Sequence, residues 1–255
     1  MKLFCRRKKK SSPSRGPKPR LHANSPFAIK EAYTSIRTKL IFTGKGDKCP
    51  VFSITSSLPS DGKTTNSVSL AVSFAMADQR VLLIDADMRK PSIHRYFNTE
   101  CRNGLSELLA GLTTEIKLRD SGIPNLSLLT AGQIPPNPAE LLGSKQMDAL
   151  LAHVREHFDY VIIDTPPVNI VADACVLSEK ITGFVLIVQS GKNHLYELKD
   201  AMHRLQEMNG NIVGMVLNDP DNKADSHYSY HHSRYYRYDR YKYYGESSST
   251  TNSNK

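Results

Sequence analysis

Residues 51–65, VFSITSSLPSDGKTT, constrain the chain more than any other stretch, because an apolar run breaks into a turn that closes on Gly-Lys-Thr. Positions 51–55 alternate apolar residues as a strand does, and positions 64–77 carry small and apolar residues at helical spacing. A strand, a tight loop and a helix beginning at Gly62, Lys63 and Thr64 make a phosphate-binding P-loop. Backbone N–H groups then surround an anion, Lys63 neutralises the β- and γ-phosphates, and the Thr64 hydroxyl can ligate Mg²⁺. The usual opening glycine is replaced by Ser57. The loop still falls where the strand must hand over to the helix.

The rest of the chain repeats that alternation. An amphipathic helix is expected over 28–42, with Ile29, Ala32, Ile36, Leu40 and Ile41 on one side and Lys30, Glu31, Arg37 and Lys39 mostly on the other. Continuous apolar runs at 81–84 and 160–163 are expected to be buried parallel strands. The first delivers Asp85 and Asp87 to its carboxyl end, followed by Arg89, and the second delivers Asp164. Ligands of open α/β sheets bind at those ends, so the three carboxylates are placed to meet a metal or an incoming hydroxyl. The competing reading of Asp85 and Asp87 is a turn held by their own side-chain hydrogen bonds.

Between these strands lie a short helix over 104–112, a strand over 126–130, a helix opened by Pro138 with Asn137 as its cap, and a helix over 145–157. Strands at 184–188 and 212–217 enclose an amphipathic helix over 194–208. The expected fold is α/β, a mostly parallel twisted sheet with helices on both faces. Asn218, just beyond the last strand, suits either a base edge or a turn.

Composition sets the boundaries. The 255 residues allow one large domain at 26–220, with a basic arm at 1–25 and a tail at 221–255, both expected to be disordered. Cys5, Cys49, Cys101 and Cys175 have neither metal-ligand nor disulfide spacing, which points to a reducing cytoplasm. No apolar run approaches the roughly 18 residues of a membrane span. The net charge of +9 is concentrated in Arg6–Lys10 and in the tail, where anionic lipid, nucleic acid or plain solvation could each account for it. The tail holds eight of the twelve tyrosines: Tyr228, Tyr230, Tyr235, Tyr236, Tyr238, Tyr241, Tyr243 and Tyr244, interleaved with Arg, Lys and His. Such a stretch could stack on single-stranded nucleic acid, and His227, His231 and His232 lack the further ligands a metal would need. The remaining option is that the phenols are themselves substrates.

Taken together, SSLPSDGKTT, LLIDADMRKPSIHRYF (82–97), IPPNPAELL (134–142), VIIDTPP (161–167) and the tyrosine cluster resemble the bacterial tyrosine kinases of capsule and exopolysaccharide synthesis, in their soluble Gram-positive form. The resemblance covers the chain from about residue 26 to its end. It implies a P-loop NTPase fold with ATP and Mg²⁺ as cofactors, and autophosphorylation of the tail tyrosines in trans within a ring-like homo-oligomer. The nucleotide contacts it implies are Ser57, Pro59, Ser60, Asp61, Gly62, Lys63, Thr64, Thr65 and Asn218. Thr64, Asp85 and Asp164 would hold the metal, and Lys63, Asp85, Asp87 and Asp164 would carry catalysis, with the base left open between Asp85 and Asp87. A membrane adaptor that recruits the kinase to the inner face of the membrane, and a cognate tyrosine phosphatase, are the implied partners; nucleic acid is not expected.

Two departures from the family pattern stand out. Ser60 replaces a usual loop glycine, and in the oligomerisation motif Glu31 and Arg37 are present while Thr34 takes the place of the middle arginine. The chief rival, a partition or cell-division-positioning ATPase, needs a second lysine directly after the first loop residue. That position is Leu58.

Overall fold

The computed structural model describes residues 20–218; residues 1–19 and 219–255, with all eight tail tyrosines, lie outside the described residues. Helix α1 (Phe27–Thr43) precedes β1 (Val51–Ser56), α2 (Lys63–Ala75), β2 (Val81–Asp85), and the short helices α3 (Ile93–Tyr96) and α4 (Leu105–Leu109). There follow β3 (Arg119–Asp120), β4 (Leu126–Leu129), α5 (Pro138–Gly143), α6 (Lys145–Val154) and β5 (Tyr160–Asp164). A 3₁₀ turn at Cys175–Leu177, β6 (Gly183–Gln189), α7 (Leu195–Glu207) and β7 (Ile212–Asn218) complete the domain.

The strands form one sheet in the order β3-β4-β2-β5-β1-β6-β7, parallel except for the two-residue β3. Every residue of β1 and β2 is buried, which is why β2 shows no polar face; in β1 the buried hydroxyls of Ser53 and Thr55 are bonded to Thr165 Oγ1 and to the Pro166 carbonyl. Alternate side chains feed separate cores. Leu83, Phe52 and Ile162 pack with Val68 and Phe74 under α1 and α2. Leu82, Ile84, Val161 and Ile163 pack with Leu105, Leu142 and Leu151 on the opposite face. Phe184 and Leu186 meet Ala201 and Leu205 of α7. Because the neighbouring strands are parallel, the loops after β1, β2, β5 and β6 and the end of β7 open along one edge, where a ligand is expected.

Three local expectations are corrected. The stripe of α1 is turned: Leu40 is buried and Tyr33 and Ile36 pack partly, whereas Ile29 and Ile41 are 45% and 40% exposed. Contact is centred on α2, so Arg37 faces inward and its Nη1 donates to the Ser73 carbonyl and, at 3.2 Å, to Ser73 Oγ. Asn137 takes the N-cap position of α5, which Pro138 opens, but its side chain makes no capping bond to the helix backbone. Its amide instead donates to Glu140 Oε2 at 2.6 Å. β3 and α3 were not anticipated, since two and four residues are too short to express a period.

Residues 20–25, assigned to the arm on composition, are packed on the domain. Leu21 is buried and its N–H donates to Ser69 Oγ at 3.2 Å, while the Arg20 guanidinium lies 4.6 Å from the centre of the Phe97 ring and donates to the Tyr96 carbonyl. Among the described residues no helix is long and apolar enough to cross a membrane. Leu21→Ala should therefore cost about 2–5 kcal/mol in urea unfolding, as for other buried leucines. A change under about 0.5 kcal/mol, the scale of a surface substitution, would show that this segment does not pack.

Candidate functional site

The site grows from the junction of β1 and α2. The loop turns through two left-handed residues, Ser60 at φ 65° and Gly62 at φ 92°. Glycine takes this conformation without strain and serine does not. At Gly62 a Cβ would also lie 2.4 Å from Asn218 Nδ2, so the Asn218 amide would have to shift from its bonds to Asp61 and Gln189. The helix that follows begins at Lys63, whose backbone starts a 13-residue α2 with free N–H groups directed at the loop.

On the neighbouring strands the parallel register sets Asp85 of β2 directly beside Asp164 of β5. Both are fully buried. Asp164 is held on both oxygens: Thr64 Oγ1 donates to Oδ2 at 2.7 Å and Ser67 Oγ reaches Oδ1 at 2.8 Å. Asp85 Oδ2 accepts the N–H groups of Ser92 and Ile93, each at 3.0 Å, while its Oδ1 is buried without a partner. Asp87 accepts from Lys90 N at 3.1 Å, and its other oxygen lies 3.6 Å from Lys63 Nζ. The turn reading and the functional reading of Asp85 and Asp87 thus coexist: one oxygen of each braces the loop and the other is left for the site.

Burial, and then the charge of Asp164, push the Asp85 carboxyl up to about 8. Burial also raises Asp164, against the opposing pull of Lys63, Thr64 and Ser67. Two desolvated carboxyls side by side call for a cation. Among the described residues no three His, Cys, Asp or Glu side chains converge as an all-protein metal cage. That suits Mg²⁺, which is commonly bound by one or two carboxylates and completed by substrate phosphates. The donor set fits: the unpartnered Asp85 Oδ1, Asp164 and the Thr64 hydroxyl.

A cleft of about 530 Å³ opens over these groups, lined by Pro59, Ser60, Gly62, Lys63, Thr64 and Thr65 on one side and Asp87, Arg89 and Lys90 on the other. Arg89 is fixed by two hydrogen bonds, 2.8 and 2.9 Å, to the fully buried Asp173. The remaining expected contacts lie elsewhere. Ser57 and Asp61 are buried behind the loop, bonded to Asn193, and Asp61 also to Lys192. Asn218 donates to the Asp61 carbonyl and to Gln189 Oε1. Glu31 and Arg37 lie away from the cleft on α1.

The sequence reading missed Ser67, Ser92, Tyr96, Lys192 and Asn193. Ser67 was recoverable, since it follows Lys63 by one helical turn. Tyr96 was not: its OH meets Thr65 Oγ1 at 2.7 Å only because α3 folds back over α2.

Comparison with known proteins agrees with this fold. Residues 59–211 match the AAA domain family. The tyrosine-protein kinase YwqD of Bacillus subtilis is 40% identical over 202 residues, 79% of this chain and 85% of that protein. The tyrosine-protein kinase CpsD of Streptococcus pneumoniae is 37% identical over 194 residues, 75% and 84% of the two chains. The solved kinase domain of the Escherichia coli tyrosine kinase ETK superposes with a TM-score of 0.73 at 38% identity, covering 79% of each chain.

A pH signature follows. The folded domain without ligand keeps the Asp85 proton up to about pH 8, whereas the unfolded chain loses it near the ordinary 3.8. The folded state therefore binds more protons across that window, and its stability falls as pH rises through it. Asp85→Asn removes this slope. In urea unfolding at pH 5, 6.5 and 8, the stability of the variant relative to the parent should climb by up to about 1.4 kcal/mol per pH unit, and a difference independent of pH would contradict the assignment.

Proposed function

Since the chain belongs to the bacterial tyrosine kinase (BY-kinase) family and is a protein-tyrosine kinase, we propose that it uses Mg·ATP to phosphorylate its own tail, Tyr228 to Tyr244, on a neighbouring subunit. The observation that carries this reading is the meeting of Lys63, Thr64, Asp85, Asp87 and Asp164 at one sheet edge, with Lys63, Thr64 and Asp87 lining the cleft and the pair of Asp85 and Asp164 beneath it. Mg²⁺, when bound, would neutralise charge on the phosphates and orient them for transfer.

The chain's own groups supply the remainder. The loop amides and the N-terminus of α2 bind phosphate oxygens, and Lys63 screens the transferring group. Asp85 and Asp164 are the buried pair and would hold the metal with Thr64. Asp87 lines the cleft whereas Asp85 is sealed beneath it, which supports Asp87 over Asp85 as the acceptor of the phenol proton. A tyrosine with an ordinary pKa of about 10 needs such an acceptor at neutral pH. The phenol oxygen then attacks the γ-phosphorus and ADP leaves.

In this reading a membrane adaptor recruits the kinase to the inner face of the membrane, a homo-oligomer presents each tail to a neighbour, a tyrosine phosphatase resets it, and the cycle regulates capsular or exopolysaccharide synthesis and export. Arg37 enters any subunit contact already bound to Ser73, and with Thr34 beside it the contact along α1 carries fewer free cations than the family motif.

The test is incubation of the full chain with Mg·ATP and an adaptor's cytoplasmic segment, followed by phosphotyrosine mapping by mass spectrometry. Phosphate is expected on tyrosines within 228–244, and Lys63→Met should slow labelling by about 10²–10³-fold, the scale of losing a preorganised electrostatic contact. Equal labelling of the parent and Lys63→Met would overturn the proposal.

A further inference from the structure

We propose that Lys192 and Asn193, in the loop between β6 and α7, are positioning residues that hold the phosphate-binding loop in its working shape and cancel a negative charge beneath it. The inference rests on the preceding reading only in placing a nucleotide in the cleft.

Three observations carry it. First, the Asp61 carboxylate is fully buried directly behind the loop. One of its oxygens accepts from Leu58 N at 3.0 Å and Asn193 Nδ2 at 2.9 Å, and the other from Lys192 Nζ at 2.8 Å. Second, the same two residues grip the rest of the loop: Lys192 Nζ also donates to the Pro59 carbonyl, and Asn193 Nδ2 to Ser57 Oγ at 2.9 Å. Asn193 is itself oriented, because its Oδ1 accepts Gln189 N at 2.7 Å at the end of β6. Third, the loop so held contains a non-glycine residue in the left-handed region, Ser60, whose backbone would otherwise relax.

These observations have a chemical consequence. A carboxylate buried under an anion-binding loop repels the phosphates that the loop amides attract, unless a cation cancels it in place. Lys192 is that cation, and its side chain stays 40% exposed, so it approaches from the protein surface without occupying the nucleotide's place. Asp61 therefore acts on the phosphates through Lys192 and the loop and does not face the cleft. The loop after β6 thus braces the phosphate-binding loop from behind, set by a strand remote from β1 in sequence.

The experiment is equilibrium binding of a fluorescent ADP analogue with Mg²⁺ to the full chain. Lys192→Met should weaken binding by about ten- to a hundredfold, the usual scale for losing a group that orients a direct contact, while Lys192→Arg stays within about threefold of the parent. In steady-state labelling, Lys192→Met should raise KM for ATP and leave kcat nearly unchanged. The double variant Asp61→Asn with Lys192→Met removes charge and counter-charge together and should recover a good part of the affinity, which a purely structural role for Lys192 would not produce. Binding by Lys192→Met within twofold of the parent, or a double variant as weak as or weaker than Lys192→Met, would overturn the proposal. Failure of the parent itself to bind nucleotide would overturn the nucleotide reading, and this inference with it.

Discussion

Two carboxyls placed side by side out of water dominate the architecture of this domain. The register of β2 against β5 fixes Asp85 next to Asp164, and neither can ionise freely without a cation or donors to meet it. The neighbouring residues are arranged around that demand. Thr64 and Ser67 of α2 donate to Asp164, the start of α3 donates to Asp85, and Lys63 reaches Asp87. The P-loop helix is thereby tied to the central strand through the groups that would hold a metal, so phosphate binding and metal binding are parts of one structure.

This coupling explains why the polar residues of the site are buried. Asp85, Asp164, Ser67 and Asp173 are nearly or fully inaccessible, and buried polar groups persist when they are bonded or serve a ligand. The unpartnered Asp85 Oδ1 is the exception among them. Its lack of a partner, together with the raised Asp85 carboxyl, fits this oxygen as a donor to a cation.

Much of this was legible in the amino-acid order. The apolar runs ending in Asp85 and Asp164 name both strand and site, because β2 and β5 carry no charged residue before the carboxylate at which each ends. Gly62, Lys63 and Thr64 mark the helix start because Gly62 takes the left-handed turn directly before α2 begins at Lys63. What stayed hidden depends on contacts between elements remote in sequence. Lys192 and Asn193 meet Asp61 some 131 positions away, and no local pattern encodes that approach. Asp61 and Ser57 appeared to be nucleotide contacts by position in the loop, yet their side chains turn to its back. The face of α1 was misread because its apolar residues outnumber the places that α2 can cover, and packing, not composition, chose Leu40 over Ile29 and Ile41.

The central claim is that a buried carboxyl keeps its proton until a metal-bound nucleotide arrives. Isothermal titration of Mg·ADP into the protein at pH 7, repeated in buffers of different ionisation enthalpy, tests it directly. The account predicts release of close to one proton per nucleotide bound, declining as the pH is raised past the Asp85 value of about 8. A binding enthalpy that does not depend on the buffer would contradict it.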